Sequence, residues 1–203
     1  MTHHHIYIEN DKSQPVFLLL HGTGGTEEDL IPLARTINPQ ASILSVRGNV
    51  SENGMNRFFR RLAMGVFDEE DLESRTKELY QFVNEAAVEY GFDRKNVVAL
   101  GYSNGANIAA SMLYFFNDAY RAALLLHPMV PFHNRDMVEL NQLPIFIGAG
   151  TNDPICPPDE THGLTNKIEA KNGNVTTFWG NAGHSLTKDE VEHALSWYQQ
   201  NLS

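Results

Sequence analysis

Three residues with nucleophilic or acid–base side chains each follow an apolar run of the sequence: Ser103, Asp153 and His184. The runs that precede them are, in the same order, Val97–Leu100, Pro144–Gly148 and Val175–Trp179. A serine hydroxyl is a weak nucleophile until a base removes its proton, and histidine has a suitable pKa for that near neutral pH. An aspartate can hold the imidazole in the required tautomer. The three residues therefore predict a Ser-His-Asp triad, in a chain order that known triads use.

The serine lies in the motif Gly101-Tyr102-Ser103-Asn104-Gly105. A β-branched apolar run precedes the motif and an alanine-rich stretch follows it, which predicts a strand, a sharp turn and a helix. Glycines two residues before and after the serine let the strand and helix backbones approach closely. A chance match in a loop is the alternative, but the strand-then-helix context favours a nucleophile elbow with an exposed hydroxyl.

A glycine-rich loop, His21-Gly22-Thr23-Gly24-Gly25, follows the apolar run Val16–Leu20. A tetrahedral oxyanion needs two backbone N–H donors. Asn104, directly after the serine, is predicted to supply one, and Thr23 in the loop the other. A phosphate-binding turn is the competing interpretation, but the loop lacks the required spacing and lysine. We interpret His21 as structural and not as a base.

Composition narrows the classes of protein to consider. The chain has 203 residues, a formal net charge of −10 and a single cysteine, Cys156. Its length fits one domain over residues 1–203. Its acidity, without any long basic run, argues against nucleic acid and anionic membranes as partners. One cysteine excludes an intrachain disulfide and any multi-cysteine metal site, and we expect it to be a small packed residue.

The sequence shows neither a signal-like start nor a run apolar and long enough to span a bilayer, so a cytoplasmic protein without a membrane span is expected. Apolar runs alternate with amphipathic stretches almost throughout. This pattern predicts one α/β domain with a mostly parallel sheet and right-handed crossovers. Ligands bind such sheets at the carboxyl ends of the strands, where the three candidate residues lie.

Helix signals accompany these runs. A helix is expected to begin at Thr26 and continue to Ile37, another covers 72–90 up to Gly91, and a third covers 160–171. The last helix opens with Thr187-Lys188-Asp189-Glu190, a capping-box pattern.

The segment from Arg47 to Asp71 shows no clear period until its end. Irregular segments of this length are usually functional or disordered, and the aromatic content here argues against disorder. Its apolar residues either line an acyl pocket or pack as an ordinary loop, and the sequence leaves both open: Met55, Phe58, Phe59, Met64 and Phe67.

No metal site is predicted, and the other histidines are not expected to act in catalysis. His3 to His5 are interpreted as solvated residues that enter the first strand. His127 ends the apolar run Ala122–Leu126, where it could face the cleft, but no acid follows with it as a partner. His162 and His193 fall on the surfaces of predicted helices.

Several motifs together resemble the phospholipase/carboxylesterase family of α/β-hydrolases, and in particular its branch of small bacterial carboxylesterases, which are related to acyl-protein thioesterases. The matching stretches are Leu18–Gly25, Arg47-Gly48, Gly54–Phe59, Gly101–Asn107, Gly150–Pro154 and Gly183-His184. The resemblance implies an α/β-hydrolase fold with helices on both faces of the sheet and no large cap domain. It also implies ester hydrolysis without a cofactor, and frequently a homodimer.

The expected function is a serine carboxylesterase that hydrolyses small, short-chain esters through an acyl-enzyme intermediate. A lysophospholipase or acyl-protein thioesterase is one alternative. Those members carry glutamine after the serine, where this chain has Asn104, so that substrate assignment is weaker. The other alternative is a non-catalytic binding protein on a hydrolase scaffold, because fold alone does not guarantee chemistry.

Overall fold

A computed structural model describes residues 3–202, which form a seven-stranded sheet and two small two-stranded sheets. The strands are β1 (His5–Ile8), β2 (Val16–Leu20), β3 (Ser42–Val46), β4 (Val50–Glu52), β5 (Met55–Arg57), β6 (Arg61–Ala63), β7 (Val66–Phe67), β8 (Val97–Tyr102), β9 (Ala122–Leu126), β10 (Pro144–Gly150) and β11 (Asn174–Gly180). The helices are α1 (Ile31–Ile37), α2 (Glu69–Tyr90), α3 (Asn104–Met112), α4 (Pro158–Glu169) and α5 (Lys188–Leu202), with a 3-10 turn at Arg94–Asn96.

The large sheet has the order β1-β3-β2-β8-β9-β10-β11, and every pair is parallel except β1 with β3. Along the five central strands, side chains alternate between two buried layers. In β2, Leu18 and Leu20 pack in the layer that contains α2, α3 and α4, whereas Phe17 and Leu19 pack in the layer that contains α1 and α5. The predicted α/β fold with helices on both faces is confirmed. Within residues 3–202, no helix is both long and apolar enough to cross a membrane.

The bounds of α2 and α4 lie within three residues of those predicted, whereas α1 begins five residues after its predicted start. Asp68 caps α2 by accepting from the Asp71 N–H at 3.1 Å, and Gly91 closes it with φ 67°. The predicted start of α1 at Thr26 is wrong. The Thr26 hydroxyl accepts from Glu28 N–H at 3.3 Å and stabilises a turn, and the helix begins only at Ile31.

The segment from Arg47 to Asp71 is more regular than predicted. Its part before α2, residues 47–68, contains two hairpins, β4–β5 and β6–β7, and is called the hairpin segment below. Asn53 and Gly54 connect β4 to β5 with φ of 53° and 78°. An Asn-Gly pair with both φ positive is the preferred two-residue hairpin connection.

The amino-terminal histidines are also placed differently from the prediction. His3 is buried against the ring of Phe82, and His5 Nε2 lies 2.7 Å from the Tyr90 hydroxyl. Only His4 keeps a largely exposed side chain, which lies 3.0 Å from Glu27. The interpretation of all three as solvated residues is therefore wrong for His3 and His5.

Candidate active site

Ser103 lies at the turn between β8 and α3 with φ 52° and ψ −114°, a backbone conformation that non-glycine residues rarely adopt. The surrounding chain leaves no room for larger residues. A Cβ on Gly105 would overlap the Leu20 carbonyl, and one on Gly101 would lie 2.7 Å from the Gly105 oxygen. The Ser103 N–H donates to Leu126 O at 2.8 Å, which ties the turn to β9. The two glycines allow the close approach, and the serine occupies the strained position.

The side chains of Ser103, His184 and Asp153 form a continuous hydrogen-bonded chain. His184 Nε2 lies 2.8 Å from Ser103 Oγ, and His184 Nδ1 lies 2.7 Å from Asp153 Oδ2. A carboxylate only accepts, so Nδ1 carries a proton and Nε2 is left to accept from the serine hydroxyl. The Tyr102 hydroxyl donates to the His184 carbonyl at 2.7 Å and fixes the loop that carries the base. The geometry suits proton transfer from serine to histidine.

The Asp153 carboxylate has hydrogen-bond partners on both oxygens. Oδ1 accepts from the N–H groups of Ile155 and Cys156 at 2.8 and 2.9 Å. Oδ2 accepts from His184 and from a second imidazole, that of His127, at 2.8 Å. Burial by itself would raise the pKa of Asp153, but these backbone and imidazole donors hold the pKa below its usual value. The carboxylate is therefore ionised at neutral pH.

His127 was not expected to have an acidic partner, and that prediction is wrong. Its Nδ1 faces Asp153 Oδ2, and its Nε2 lies 3.3 Å from Glu190 Oε2 at the first turn of α5. Burial alone would lower the pKa of His127, but hydrogen bonds and charge from Glu190 and Asp153 raise it above its usual value. All three side chains are almost fully buried.

The sequence assigned Glu190 to a different role, as the fourth residue of a capping box. The capping is half present, because the Glu190 N–H donates to Thr187 Oγ1 at 3.1 Å. The Glu190 carboxylate, however, points to His127 instead of returning to the Thr187 backbone. One signal pointed to His127: it directly follows a strand at the same edge of the sheet as Ser103, Asp153 and His184.

Thr23 and Asn104, the predicted oxyanion donors, line the same pocket as Ser103. Neither backbone N–H donates to a partner within residues 3–202, and Asn104 begins α3, where N–H groups have no intrahelical acceptor. Their side chains are occupied with holding the pocket together. Thr23 Oγ1 accepts from Arg57 at 2.9 Å, and Asn104 Oδ1 accepts from the Phe58 N–H at 2.8 Å.

The structure agrees with the structural roles expected for His21 and Cys156. His21 Nε2 accepts from the Gly48 N–H at 3.0 Å and Nδ1 donates to the Gly22 carbonyl at 2.6 Å, so neither nitrogen is available as a base. Cys156 is buried, its thiol donates to the His127 carbonyl at 3.2 Å, and burial raises its pKa. It is a packed, protonated thiol.

The pocket beside Ser103 has an empty volume of about 380 Å³. Met64 and Phe67 contribute to its lining, whereas Phe58 and Phe59 belong to the core and Met55 lies beside Gly24. The apolar residues of segment 47–68 therefore divide between the two roles that the sequence left open.

Basic side chains also line this pocket. Arg57 and Arg61 both contribute to it, and each places its Nε 3.2–3.3 Å from the Glu52 carboxylate. Two guanidinium groups share one carboxylate, so the local balance of charge is positive.

His127, Asp153 and His184 also form the one group of described residues whose donor atoms lie close enough together to hold a metal ion, within 4.8 Å of one another. Both histidines direct Nδ1 at the same carboxylate oxygen. The Nδ1 and Oδ2 atoms of this group are therefore engaged in short hydrogen bonds with one another.

Comparison with known proteins supports ester-hydrolase chemistry. The family profile described as "Dienelactone hydrolase family" matches residues 52–201. The chain is 50% identical over 198 residues to the predicted hydrolase MhqD of Bacillus subtilis (strain 168), with 98% of each chain covered. It is similar to the crystal structure of the Bacillus cereus carboxylesterase, with 56% identity, a TM-score of 0.97, and 98% and 95% of the two chains covered. A structure of YahD with malic acid matches at 30% identity and a TM-score of 0.94, covering 98% and 100%.

Proposed function

The chain belongs to the dienelactone hydrolase family, and from that premise we propose that it is a serine carboxylesterase with Ser103 as nucleophile, His184 as base and Asp153 as the residue that orients the base. The observation that carries the proposal is the pair of short contacts that joins the three side chains, 2.8 Å from Ser103 to His184 and 2.7 Å from His184 to Asp153. These contacts lie at the carboxyl edge of the sheet, beside two free backbone N–H donors.

The reaction proceeds in two halves. Ser103 Oγ attacks the ester carbonyl carbon while its proton passes to His184 Nε2, and the backbone N–H groups of Thr23 and Asn104 stabilise the oxyanion. The tetrahedral intermediate collapses, the bond to the alkoxy oxygen breaks, and His184 returns the proton to the leaving alcohol. Water then attacks the acyl carbon while its proton passes to His184. The bond between the acyl carbon and Ser103 Oγ breaks, the carboxylic acid leaves, and His184 returns the proton to Ser103 Oγ.

We propose short-chain esters as substrates because the pocket beside Ser103 is small. Its empty volume of about 380 Å³ is bordered by Met64, Phe67, Met129 and the two arginines, which leaves little room for a long acyl chain. A lysophospholipase or thioesterase would need a longer apolar channel. Asn104, at the position where those enzymes carry glutamine, is engaged with Phe58.

The nucleophile is tested with Ser103→Ala and a chromogenic acetyl or butyryl ester. We expect kcat to fall by a factor on the order of 10⁴ or more, as removal of a serine nucleophile does in related chemistry. Ser196→Ala on the exposed face of α5 is the matched control and should retain wild-type turnover. A fluorophosphonate should label the wild-type protein and not Ser103→Ala. Wild-type turnover by Ser103→Ala would exclude this serine, and absence of labelling would favour a non-catalytic binding protein.

The substrate class is tested separately with oxygen esters and thioesters of two to sixteen acyl carbons. We expect kcat/KM to be greatest for short oxygen esters and to decline as the acyl chain outgrows the pocket. An optimum at long acyl chains, or a preference for thioesters, would support the lysophospholipase or thioesterase alternative in place of a simple esterase.

A further inference from the structure

A buried glutamate, Glu190, lies beyond the proposed triad, separated from Asp153 by His127, and it does not line the pocket beside Ser103. Glu190 is only 2% exposed, and its carboxylate lies in a space that β10 leaves open. A Cβ on Gly148 would overlap Glu190 Oε1, so the absence of a side chain at Gly148 makes the position possible. A carboxylate this deeply buried is costly unless it is paired. Oε2 has His127 as its partner, whereas Oε1 has no hydrogen-bond partner among the described residues.

The backbone holds His127 in an unusual conformation. Its φ is 54°, a value that costs free energy for a residue with a side chain. The residue is fixed by an N–H donated to Gly148 O at 2.7 Å and by the Cys156 thiol on its carbonyl at 3.2 Å. This conformation places the ring between Asp153 and Glu190, much as the strained Ser103 is held after the neighbouring strand.

The hydrogen bonds determine where the protons lie. Asp153 Oδ2 is an acceptor, so His127 Nδ1 must donate to it. His127 Nε2 faces a second carboxylate, that of Glu190, and an ionised carboxylate there also requires a donor. An imidazole that donates from both nitrogens is an imidazolium, and two carboxylates on opposite sides of the ring favour that form.

The groups around His127 come from four elements. Asp153 follows β10, Glu190 lies on α5, and His184 follows β11 with its ring centroid 5.1 Å from that of His127. Tyr102 of β8 presents its ring edge to His127 at 5.9 Å, and the pKa of its hydroxyl is raised to about 12 by burial and by the nearby carboxylates. The Cys156 thiol is protonated. A cation on His127 is therefore the charge closest to His184 that opposes its protonation.

We propose that His127, held as an imidazolium by Glu190, is a positioning residue that fixes Asp153 toward His184 and whose positive charge disfavours a second cation on the His184 ring. The inference rests on the proposed triad, because it acts through Asp153 and His184. It assigns roles in the reaction to two residues that contact neither the substrate nor the serine.

The charge is tested with Glu190→Gln, which keeps the size of the side chain and a hydrogen bond to His127 but removes the negative charge that stabilises the imidazolium. Glu192→Gln is the matched control, two residues away on the exposed face of α5. We expect the acid limb of kcat/KM to move upward by about one pH unit in Glu190→Gln and to stay in place in Glu192→Gln. A merely structural defect would lower activity at every pH without moving the limb. Superimposable profiles for Glu190→Gln and wild type would overturn the proposal.

A measurement on the resting wild-type protein does not depend on how a variant folds. ¹⁵N-edited NMR of the histidine rings should show His127 protonated on both nitrogens from pH 5.5 to 8. His127→Asn assigns the signals, and because the amide keeps a donor near the Nδ1 position without the charge, it should also raise the acid limb. A neutral His127 ring at pH 6 would exclude the imidazolium.

The two proposals fail in different ways. Full turnover by Ser103→Ala would remove the serine mechanism while leaving the NMR result for His127 interpretable. An inactive Ser103→Ala, together with an unshifted profile for Glu190→Gln, would leave the esterase proposal standing and remove the positioning role alone.

Discussion

The carboxyl edge of the large sheet and the hairpin segment 47–68 face each other across the pocket but are built in different ways. At the sheet edge, Leu100 and Leu126 are fully buried beside the elbow, and backbone contacts leave no space for other residues. In the hairpin segment, Leu62 on the short strand β6 is 73% exposed, and Met64 in the turn that follows it is 75% exposed. The proposed catalytic residues therefore lie on a tightly packed part of the sheet, whereas the pocket is formed in part by side chains with few neighbours.

We therefore expect the sheet edge to determine the type of reaction and the hairpin segment to determine the substrate preference. Atoms of a proton relay must be held within a few tenths of an ångström, which only a packed scaffold with supporting hydrogen bonds achieves. An acyl pocket needs only volume and an apolar surface, which exposed loops supply and vary easily. Substitutions of the same kind in the two regions should therefore have very different effects.

The largest effect is expected for glycine to alanine at the elbow. In Gly105→Ala the new methyl group would overlap the Leu20 carbonyl, and neither backbone can shift without disturbing β2 or α3. We expect a loss of more than about 4 kcal/mol in the free energy of unfolding, or no folded protein, as for other severe steric lesions. Urea denaturation followed by circular dichroism measures it.

Gly54→Ala in the hairpin provides the matched comparison. Gly54 has φ 78° but nothing lies within 4 Å of a new Cβ, so only backbone strain of about 1 kcal/mol is expected. Equal losses of stability in the two variants would show that the elbow is no more tightly constrained than the hairpin.

A smaller effect is expected where the two regions are joined. Asn104→Ala removes the acceptor for the buried Phe58 N–H, and an unpaired buried donor costs about 1–3 kcal/mol. Because the Asn104 backbone N–H is unchanged, kcat at low temperature should fall much less than in Ser103→Ala, while the acyl-chain profile should broaden as the segment loosens. An unchanged unfolding midpoint would show that the side chain does not hold the segment in place.

The start of the hairpin segment is held by an ion pair that gives a pH-dependent effect. Arg47 binds the Glu27 carboxylate through two nitrogens at 2.5 and 2.7 Å, and this pairing lowers the pKa of Glu27 to about 2. A carboxyl pKa that is lower in the folded state stabilises it above the unfolded pKa, and that stability is lost as pH falls from about 4.5 towards 2.

Glu27→Gln should therefore be less stable than wild type at pH 7 by about 1–2 kcal/mol, a figure that allows for the partial solvent exposure of Arg47. The difference between the two proteins should shrink between pH 5 and pH 3. Denaturation midpoints across that range provide the measurement, and a difference that stays constant with pH would exclude the ion pair as its cause.

The sequence was sufficient for the sheet, the elbow and the three side chains that meet there, because apolar runs and turn glycines are local signals. The sequence did not predict the role of a residue whose local motif indicated one function while its contacts in the fold give it another. Glu190 matched a capping box, and only the fold shows that Gly148 leaves space for its carboxylate under His127. Thr26 resembled a helix cap but stabilises a turn. The Asn53-Gly54 pair is a typical hairpin signal, but the hairpin was not predicted because no alternating strand pattern flanks the pair.

The smallest effect on stability and the sharpest on specificity are expected within the hairpin segment itself. Met64 and Leu62 are exposed to nearly the same extent, but only Met64 lines the pocket with Ser103. Each alanine variant should change the free energy of unfolding by no more than about 0.5 kcal/mol, as exposed substitutions do. Met64→Ala should nevertheless raise KM for a butyryl ester by about two- to fivefold with kcat unchanged, because an apolar contact made equally in the ground and transition states is lost. If Leu62→Ala shifts KM as much, substrate preference depends on the conformation of the whole hairpin and not on the side chain that lines the pocket.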